Sequence, residues 1–328
     1  MSLSSARAAL AAACIGLSPA AVMAQGADDF PSRPITVVVP SDGAGTVNTE
    51  VRLFAESVKE ASGKPIIVEN KGGAGSTIGT AYVAKSKPDG YTLLAPNAAL
   101  PISPAIYPGL TYDPVKDFSA VTLLDKHVFI LLVHPAAPFR TARQYVAYAK
   151  AHPEELNFST TGIGGVTHLG GALLHYMTGT RVTFIHYKSP AQRLLDVTAG
   201  RVHASMTAPL SALPLMKSGK LRALGISSTE RIALLPDLPT IAEQGVPGYE
   251  YASWVGIVAP AKTPPAVINK LNAMWVASVK DPNVIRKLEA DGTLMVGSTP
   301  DALQRYIDSE TARWSKLIKA TNMKIEAE

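Results

Sequence analysis

The chain has 328 residues, a formal net charge of +5 and a single cysteine, Cys14. That length suits about two domains. The modest basic excess carries no Lys/Arg cluster and no nucleic-acid motif, one cysteine cannot close an intramolecular disulfide, and no apolar run is long enough to span a bilayer as a helix.

The opening residues read as a targeting segment. Arg7 is the only charged residue before Asp28, residues 8–17 are apolar, and Val22-Met23-Ala24 fits the small-residue cleavage rule. A signal peptide over residues 1–24 would leave a secreted, cysteine-free chain starting at Gln25. Leu10-Ala11-Ala12-Ala13-Cys14 is an imperfect lipoprotein box, its leucine one place too far upstream.

The β-branched run Ile35–Val39 predicts a buried strand. Val51, Phe54, Ala55 and Val58 then recur at helical spacing. Between them lies Pro40-Ser41-Asp42-Gly43-Ala44-Gly45-Thr46-Val47-Asn48, with Thr46 and Asn48 as candidate caps. A glycine turn at a helix start presents free N–H groups and the positive end of the helix dipole. Two readings stay open here: half of an anion site, or an ordinary βα turn.

Residues 65–69 predict a second strand, followed by the glycine loop 71–76 and a helix with Ile78, Ala81, Tyr82 and Ala84 on its apolar face. Residues 91–95 predict a third strand. The β-α-β-α-β order implies a parallel sheet. Gly73-Ala74-Gly75 has Ile78 where a dinucleotide fingerprint needs its last glycine. Residues 96–118 read as a proline-punctuated connection, and 120–134 as a long extended run able to cross between domains.

The second half repeats the device. Thr141-Ala142-Arg143-Gln144 has the form of a capping box opening a helix to about Ala151. A strand at 156–159 leads into Thr160-Thr161-Gly162-Ile163-Gly164-Gly165 and a helix with Leu169, Leu173 and Met177 on one face. Strands follow at 182–186, 202–206 and 221–226, with a helix from about Pro190. Residues 251–258 are strand-like and cross back, and helices are expected at 265–279, 281–290 and 301–320. The early domain is therefore discontinuous, and two crossing segments make a hinge over a cleft.

No constellation for catalysis or metal binding emerges. Ser159 and His168 lack a G-x-S-x-G elbow and an orienting third group, so the chain reads as a non-enzyme. The seven His residues show no H-x-x-x-H or H-E-x-x-H spacing, which argues against a metal. No cofactor is implied. His168 reads either as a ligand contact or as a satisfied, partly buried histidine. Arg193 lies in the first turn of its helix, where a cation opposes the dipole. It reads either as a bidentate carboxylate grip or as a solvated surface residue.

Phe30-Pro31-Ser32-Arg33-Pro34-Ile35, Val68-Glu69-Asn70-Lys71-Gly72-Gly73-Ala74-Gly75, Pro88-Asp89-Gly90-Tyr91-Thr92-Leu93-Leu94, Tyr112-Asp113-Pro114-Val115-Lys116-Asp117-Phe118 and Gly245-Val246-Pro247-Gly248-Tyr249 occur in order along the chain. In these motifs the chain resembles the Bug (TctC-like) family, periplasmic solute-binding proteins of tripartite tricarboxylate transporters. The resemblance implies an α/β, two-domain periplasmic-binding-protein fold of the Venus-flytrap (type II) kind, with a hinge and an interdomain cleft. Residues 25–127 with 252–328 would form domain 1, and 128–251 domain 2.

The resemblance also implies a carboxylate ligand in the periplasm, membrane transporter subunits as partners, and a monomer. An alternative stays open: a sensing subunit that presents its closed form to a membrane sensor kinase. Carried over by position, the first-domain contacts are Ser41, Gly43, Ala44, Gly45, Thr46, Asn48, Ser76 and Asn97; the second-domain contacts are Ser159, Thr160, Thr161, Gly162, Gly165 and His168. The chain departs from the family pattern at Ser41 (usually Phe), Ala44 (usually Gly), Asn48 and Thr207 (usually Asp) and Arg193 (usually small). Those changes suit a dicarboxylate, aromatic such as terephthalate, with one end on the loops and the other near Arg193 and Thr207.

Overall fold

The computed structural model describes residues 30–323 apart from 42, 44, 45 and 108, and leaves aside the side chains of 46 and 290. The signal-peptide expectation lies outside these residues. Among them, no helix is long and apolar enough to cross a membrane.

The first sheet grows from the expected parallel unit. β1 (Ile35–Val39) pairs in parallel with β2 (Ile66–Asn70) and β3 (Thr92–Leu94), connected through α1 (Thr46–Ser62) and α2 (Thr77–Ala84). The predicted face of α1 is buried: Val51 and Phe54 are fully covered, Ala55 and Val58 nearly so. Burying Val51, Phe54 or Val58 is worth about 1.5–3 kcal/mol of transfer free energy each. They pack with Leu271 and Trp275 of α8 (Pro265–Val279). β4 (Phe118–Val128) and β10 (Ala252–Pro260) pair antiparallel, and β11 (Thr293–Met295) adds an edge to β4. The order is β11-β4-β10-β3-β1-β2.

The second sheet has the order β7-β6-β8-β5-β9. β6 (Asn157–Thr160) runs parallel to β7 (Thr183–His186) and β8 (Ala204–Thr207), while β5 (Ile130–Val133) is antiparallel to β8 and to β9 (Arg222–Ile226). Its helices include α4 (Ala142–Ala151), α5 (Val166–Thr178) and α6 (Pro190–Thr198). Thr141 caps α4 as its sequence predicts, accepting from the Gln144 N–H at 3.1 Å. The Gln144 side chain accepts from Arg140 N–H at 2.7 Å, one residue earlier than a capping box requires.

Four local expectations need correction. The connection at 96–118 contains α3 (Ala99–Ile106), and the segment after β8 forms a further helix, α7 (Pro209–Lys217). Both helices carry prolines, which mask the pattern: first-turn prolines are tolerated because that N–H has no intrahelical acceptor. β11 was too short to register. In α2, Ile78 and Tyr82 are exposed, while Gly79, Thr80 and Val83 face inward. Gly79 explains the reversal, since a Cβ there would sit 2.5 Å from the Lys71 carbonyl oxygen and 3.1 Å from Pro40 Cα. Only a bare glycine lets α2 lie that close to the loop after β1.

The chain passes between sheets at Phe129 and returns at Tyr251. Ser227 staples the two passages. Its Oγ accepts from Phe129 N–H at 2.8 Å and donates to the Tyr251 carbonyl at 2.6 Å. Its own N–H and C=O pair with Phe129 O and Tyr251 N. The helix α10 (Pro300–Thr321), which follows α9 (Pro282–Leu288), also touches both halves. Leu303 and Ile307 pack with Phe118 and Trp254, whereas Trp314, Leu317 and Ile318 pack with Phe158, Leu169 and Tyr251.

Candidate functional site

The loop after β1 is tied down from its own side chains. Asn48 Nδ2 donates to the Gly43 carbonyl at 2.8 Å. Asn48 Oδ1 accepts from Arg52 Nε, and Arg52 Nη2 reaches Asn70 Oδ1, each at 3.1 Å. Asn70 Nδ2 donates to the Ser41 carbonyl at 3.3 Å. The register of β1 on β2 sets Asn70 opposite Val39, at the mouth of the loop. Neither expected cap serves as one, because α1 is already helical at Thr46. Asn48 therefore lies inside the first turn and braces the loop instead.

Beside it, Gly73, Ala74, Gly75 and Ser76 take φ of 111°, 46°, 59° and 76°. Left-handed non-glycine residues cost of order 1–3 kcal/mol each and concentrate at functional sites. At Gly75 a Cβ would fall 2.0 Å from the Tyr107 hydroxyl. Ser76 precedes α2 without capping it through its side chain. Asn97 Oδ1 accepts from Ala99 N–H at 2.9 Å and so opens α3.

The loop after β6 is held differently. Thr161 N–H donates to Thr167 Oγ1 at 2.9 Å, and Gly164 N–H to His168 Nδ1 at 3.0 Å. That second bond requires a neutral ring. Burial, with a smaller contribution from His186, lowers the His168 pKa to about 4. The residue before α5 is Gly165, which has no side chain to cap with. The first-turn N–H groups of α5 thus get no side-chain cap from it; the His168 N–H meets the Gly165 carbonyl at 2.9 Å.

These elements meet at a cavity of about 550 Å³ between the two halves. Val47 of α1, Ala98 and Ala99 at the start of α3, and Val166 at the start of α5 all line it, with Gly75 and Asn97 beside them. Each helix start carries roughly half a positive charge. Among the described residues no charged side chain lines the cavity, and its walls are Ile102, Ile106, Tyr107, Ile163 and Leu169. Chemically this suits an anionic group on an apolar body, held by backbone donors.

Of the expected contacts, the cavity brings together Asn97, Thr161, Gly162 and Gly165. Ser41, Gly43, Asn48 and Ser76 shape the neighbouring loops without lining it. Ala44 and Gly45 lie outside the described residues, and Thr46 is placed only as the opening residue of α1. Ser159 and Thr160 are fully buried strand residues. Ser159 Oγ donates to the Ala204 carbonyl at 3.4 Å, and Thr160 Oγ1 pairs with His186 Nδ1 at 2.6 Å. His168 stands behind its loop against Phe184 and His186, facing a separate cavity of about 770 Å³.

Arg193 is neither solvated nor on the cavity wall; it is 4% exposed. Nη1 donates to Ser205 Oγ, to the Met206 carbonyl at 3.0 Å and to Thr207 Oγ1 at 3.2 Å. Nε is buried without a partner. Burial alone lowers its pKa to about 10; no carboxylate offsets it among the described residues. Thr207 is thus Arg193's acceptor, itself 2% exposed. The bracing residues Arg52, Asn70 and Thr167 escaped the sequence reading. Arg52 had one visible signal, its place one helical turn after Asn48.

The model of the tripartite tricarboxylate transporter family receptor (TctC) matches residues 51–323. A protein encoded in the tcbD-tcbE intergenic region of Pseudomonas sp. (strain P51) is 34% identical over 313 residues, covering 95% of this chain and 93% of that one. Protein BugT of Bordetella pertussis is 31% identical over 302 residues, covering 92% and 93%. Among solved structures, R. palustris Rpa4515 with adipate is 33% identical, covers 90% of this chain and 99% of its own, and superposes with a TM-score of 0.70. A TctC solute-binding protein from Polaromonas without ligand is 26% identical, covers 89% and 99%, and reaches 0.81. The loops, the cavity and these likenesses agree: the chain belongs to the TctC family of tripartite tricarboxylate transporter receptors.

Proposed function

We propose that this chain is a periplasmic solute-binding protein that captures an organic carboxylate for a tripartite tricarboxylate transporter, binding without turnover. One observation carries the reading: the starts of α1, α3 and α5 converge on one cavity with no charged side chain in its wall among the described residues. A carboxylate is then the charge that the helix dipoles favour. The adipate found on Rpa4515 supports the same class.

Residues 25–127 with 252–328 and residues 128–251 act as the two closing units, hinged at Phe129, Ser227 and Tyr251. Similarity to the ligand-free relative exceeds that to the adipate-bound one, although the latter is closer in sequence. This supports an open arrangement here, which rotation about the hinge would close.

The finer part of the proposal is a dicarboxylate, aromatic such as terephthalate, whose far end meets Arg193 on closure. The support is the buried guanidinium with no acidic partner among the described residues, since an uncompensated buried charge is costly. Calorimetric titration with matched mono- and dicarboxylates tests both parts. Binding of a dicarboxylate that weakens at least tenfold in Arg193→Gln, with its monocarboxylate analogue unaffected, is expected. No binding by any carboxylate would remove the main reading. Equal binding of both analogues, unchanged in Arg193→Gln, would remove only the far end.

A further inference from the structure

Away from the cavity, side chains from distant parts of the chain meet beneath α1. Asp125 and His127 stand two residues apart on β4 and so project from one face. Glu50 comes from α1. His127 Nε2 is 3.1 Å from Glu50 Oε2 and 3.4 Å from Asp125 Oδ1, and one ligand atom from each residue lies within 4.8 Å of the other two. Glu50 is 2% exposed and Asp125 fully buried.

The group is rich in negative charge and poor in donors. Asp125 Oδ1 accepts from Val255 N–H at 3.2 Å, but Oδ2 is buried without a partner. Asp291 lies within electrostatic reach of Glu50 and His127, and its Oδ1 is also buried and unpaired. Among the described residues, no Lys or Arg pairs with any of these acids. Unpaired buried carboxylate oxygens are costly unless something positive sits among them.

The spacing fits an ion. Four donors at about 2.0–2.1 Å around a tetrahedral metal stand about 3.4 Å apart. The far nitrogen of the imidazole is also in place: Nδ1 meets Thr293 Oγ1 at 3.2 Å, which leaves Nε2 turned to the two carboxylates. We propose that Glu50, Asp125 and His127 form a divalent-cation site, its one-nitrogen, two-carboxylate donor set suited to a zinc- or manganese-like ion.

In the metal-free protein a proton stands in for the ion. Burial lowers the His127 pKa, but hydrogen bonds to Asp125 and Glu50 outweigh it and push it up to about 10. A cation would displace that proton. It would also tie α1, whose start faces the ligand cavity, to β4 just before the chain crosses to the second sheet. Sequence spacing could not reveal this site, because α1 and β4 are brought together only by the fold.

The test uses the chelator-stripped mature protein, titrated calorimetrically with Zn²⁺ and with Mn²⁺. One ion per chain is expected, with a rise in Tm that EDTA reverses and a ligand-field absorption band when Co²⁺ is used. His127→Gln should abolish uptake. Thr293→Val keeps all three donors and removes only the outer hydrogen bond, so it should weaken binding about 10- to 100-fold. If His127→Gln does not fold, Thr293→Val decides. No stoichiometric uptake by the wild-type protein overturns the proposal. So does uptake that both variants leave unchanged, or uptake lost instead in His186→Ala, which would place the ion at the His168–His186 pair.

Discussion

The loop before α1 is held by an amide–guanidinium relay, Asn48–Arg52–Asn70, whereas the loop before α5 is held by Thr167 and a neutral His168. Both follow the same plan of strand end, small residues and helix start. The relay is partly exposed and joins a guanidinium to two neutral amides. The second brace works only while an imidazole stays unprotonated. The same device thus gives two halves with different braces, of which the second is sensitive to acid.

Acid should separate them most. Burial lowers His168 to about 4, with His186 adding to it, and lowers His175, which pairs with Thr180 and Tyr145, to about 3. Both folded-state values lie below the unfolded value near 6.5, so the unfolded chain binds more protons. Their contribution is complete above about pH 6.5 and is lost as pH falls toward 4 and then 3. The loss is of order 3 kcal/mol for each group. Urea denaturation at pH 7 and pH 4.5, with hydrogen exchange to locate the opening, should find the second sheet failing first. An unchanged pH slope in a His168→Gln/His175→Gln variant would break the comparison.

Packing should separate them next. An added Cβ at Gly79 meets the Lys71 backbone at 2.5 Å, whereas one at Gly171 meets the Phe158 ring at 2.7 Å. A ring can shift and a carbonyl in a held loop cannot. Gly79→Ala should therefore cost about 3 kcal/mol and Gly171→Ala about 1 kcal/mol, read from denaturation midpoints. Equal losses would mean that the first loop is no more rigid than the second helix.

The joint between the halves comes third. Ser227→Ala removes the hydroxyl shared by Phe129 N–H and Tyr251 C=O and should cost about 1–3 kcal/mol. Ligand affinity should change more than the stability of either sheet measured by exchange. If affinity does not move, the staple is structural and the hinge lies elsewhere.

The braces themselves give the smallest effects. Arg52→Ala and Thr167→Val should each cost about 1 kcal/mol. Thermal melts at neutral pH read both losses; an unchanged Tm in either variant would mean that other contacts hold its loop.

The sequence carried much of the secondary structure and little of the site. β1, α1, α8 and the strand that returns at Ala252 follow from local spacing, and α1 buries the face expected of it. Ile78 and Tyr82 misled because an apolar pattern cannot show that Gly79 is wanted for its missing side chain. α3 and α7 stayed hidden because proline suppresses helix in a window that sees no tertiary contacts. Asn97, Thr161, Gly162 and Gly165 line the cavity. Asn48 and His168 were found, but as braces rather than cavity lining.

Periods of 3.6 and 2 depend only on near neighbours, so the chain by itself determines its strands, helices, glycine loops and leader-like opening. Side-chain roles depend on what another element brings alongside. The register of β1 on β2 gives Asn70 the Ser41 carbonyl to hold. The approach of α6 to β8 turns Arg193 inward onto Ser205, Met206 and Thr207. The packing of α1 over β4 assembles Glu50 with Asp125 and His127. Hydrogen bonds act over about 3 Å, and only the tertiary fold brings residues so far apart in the chain within that reach.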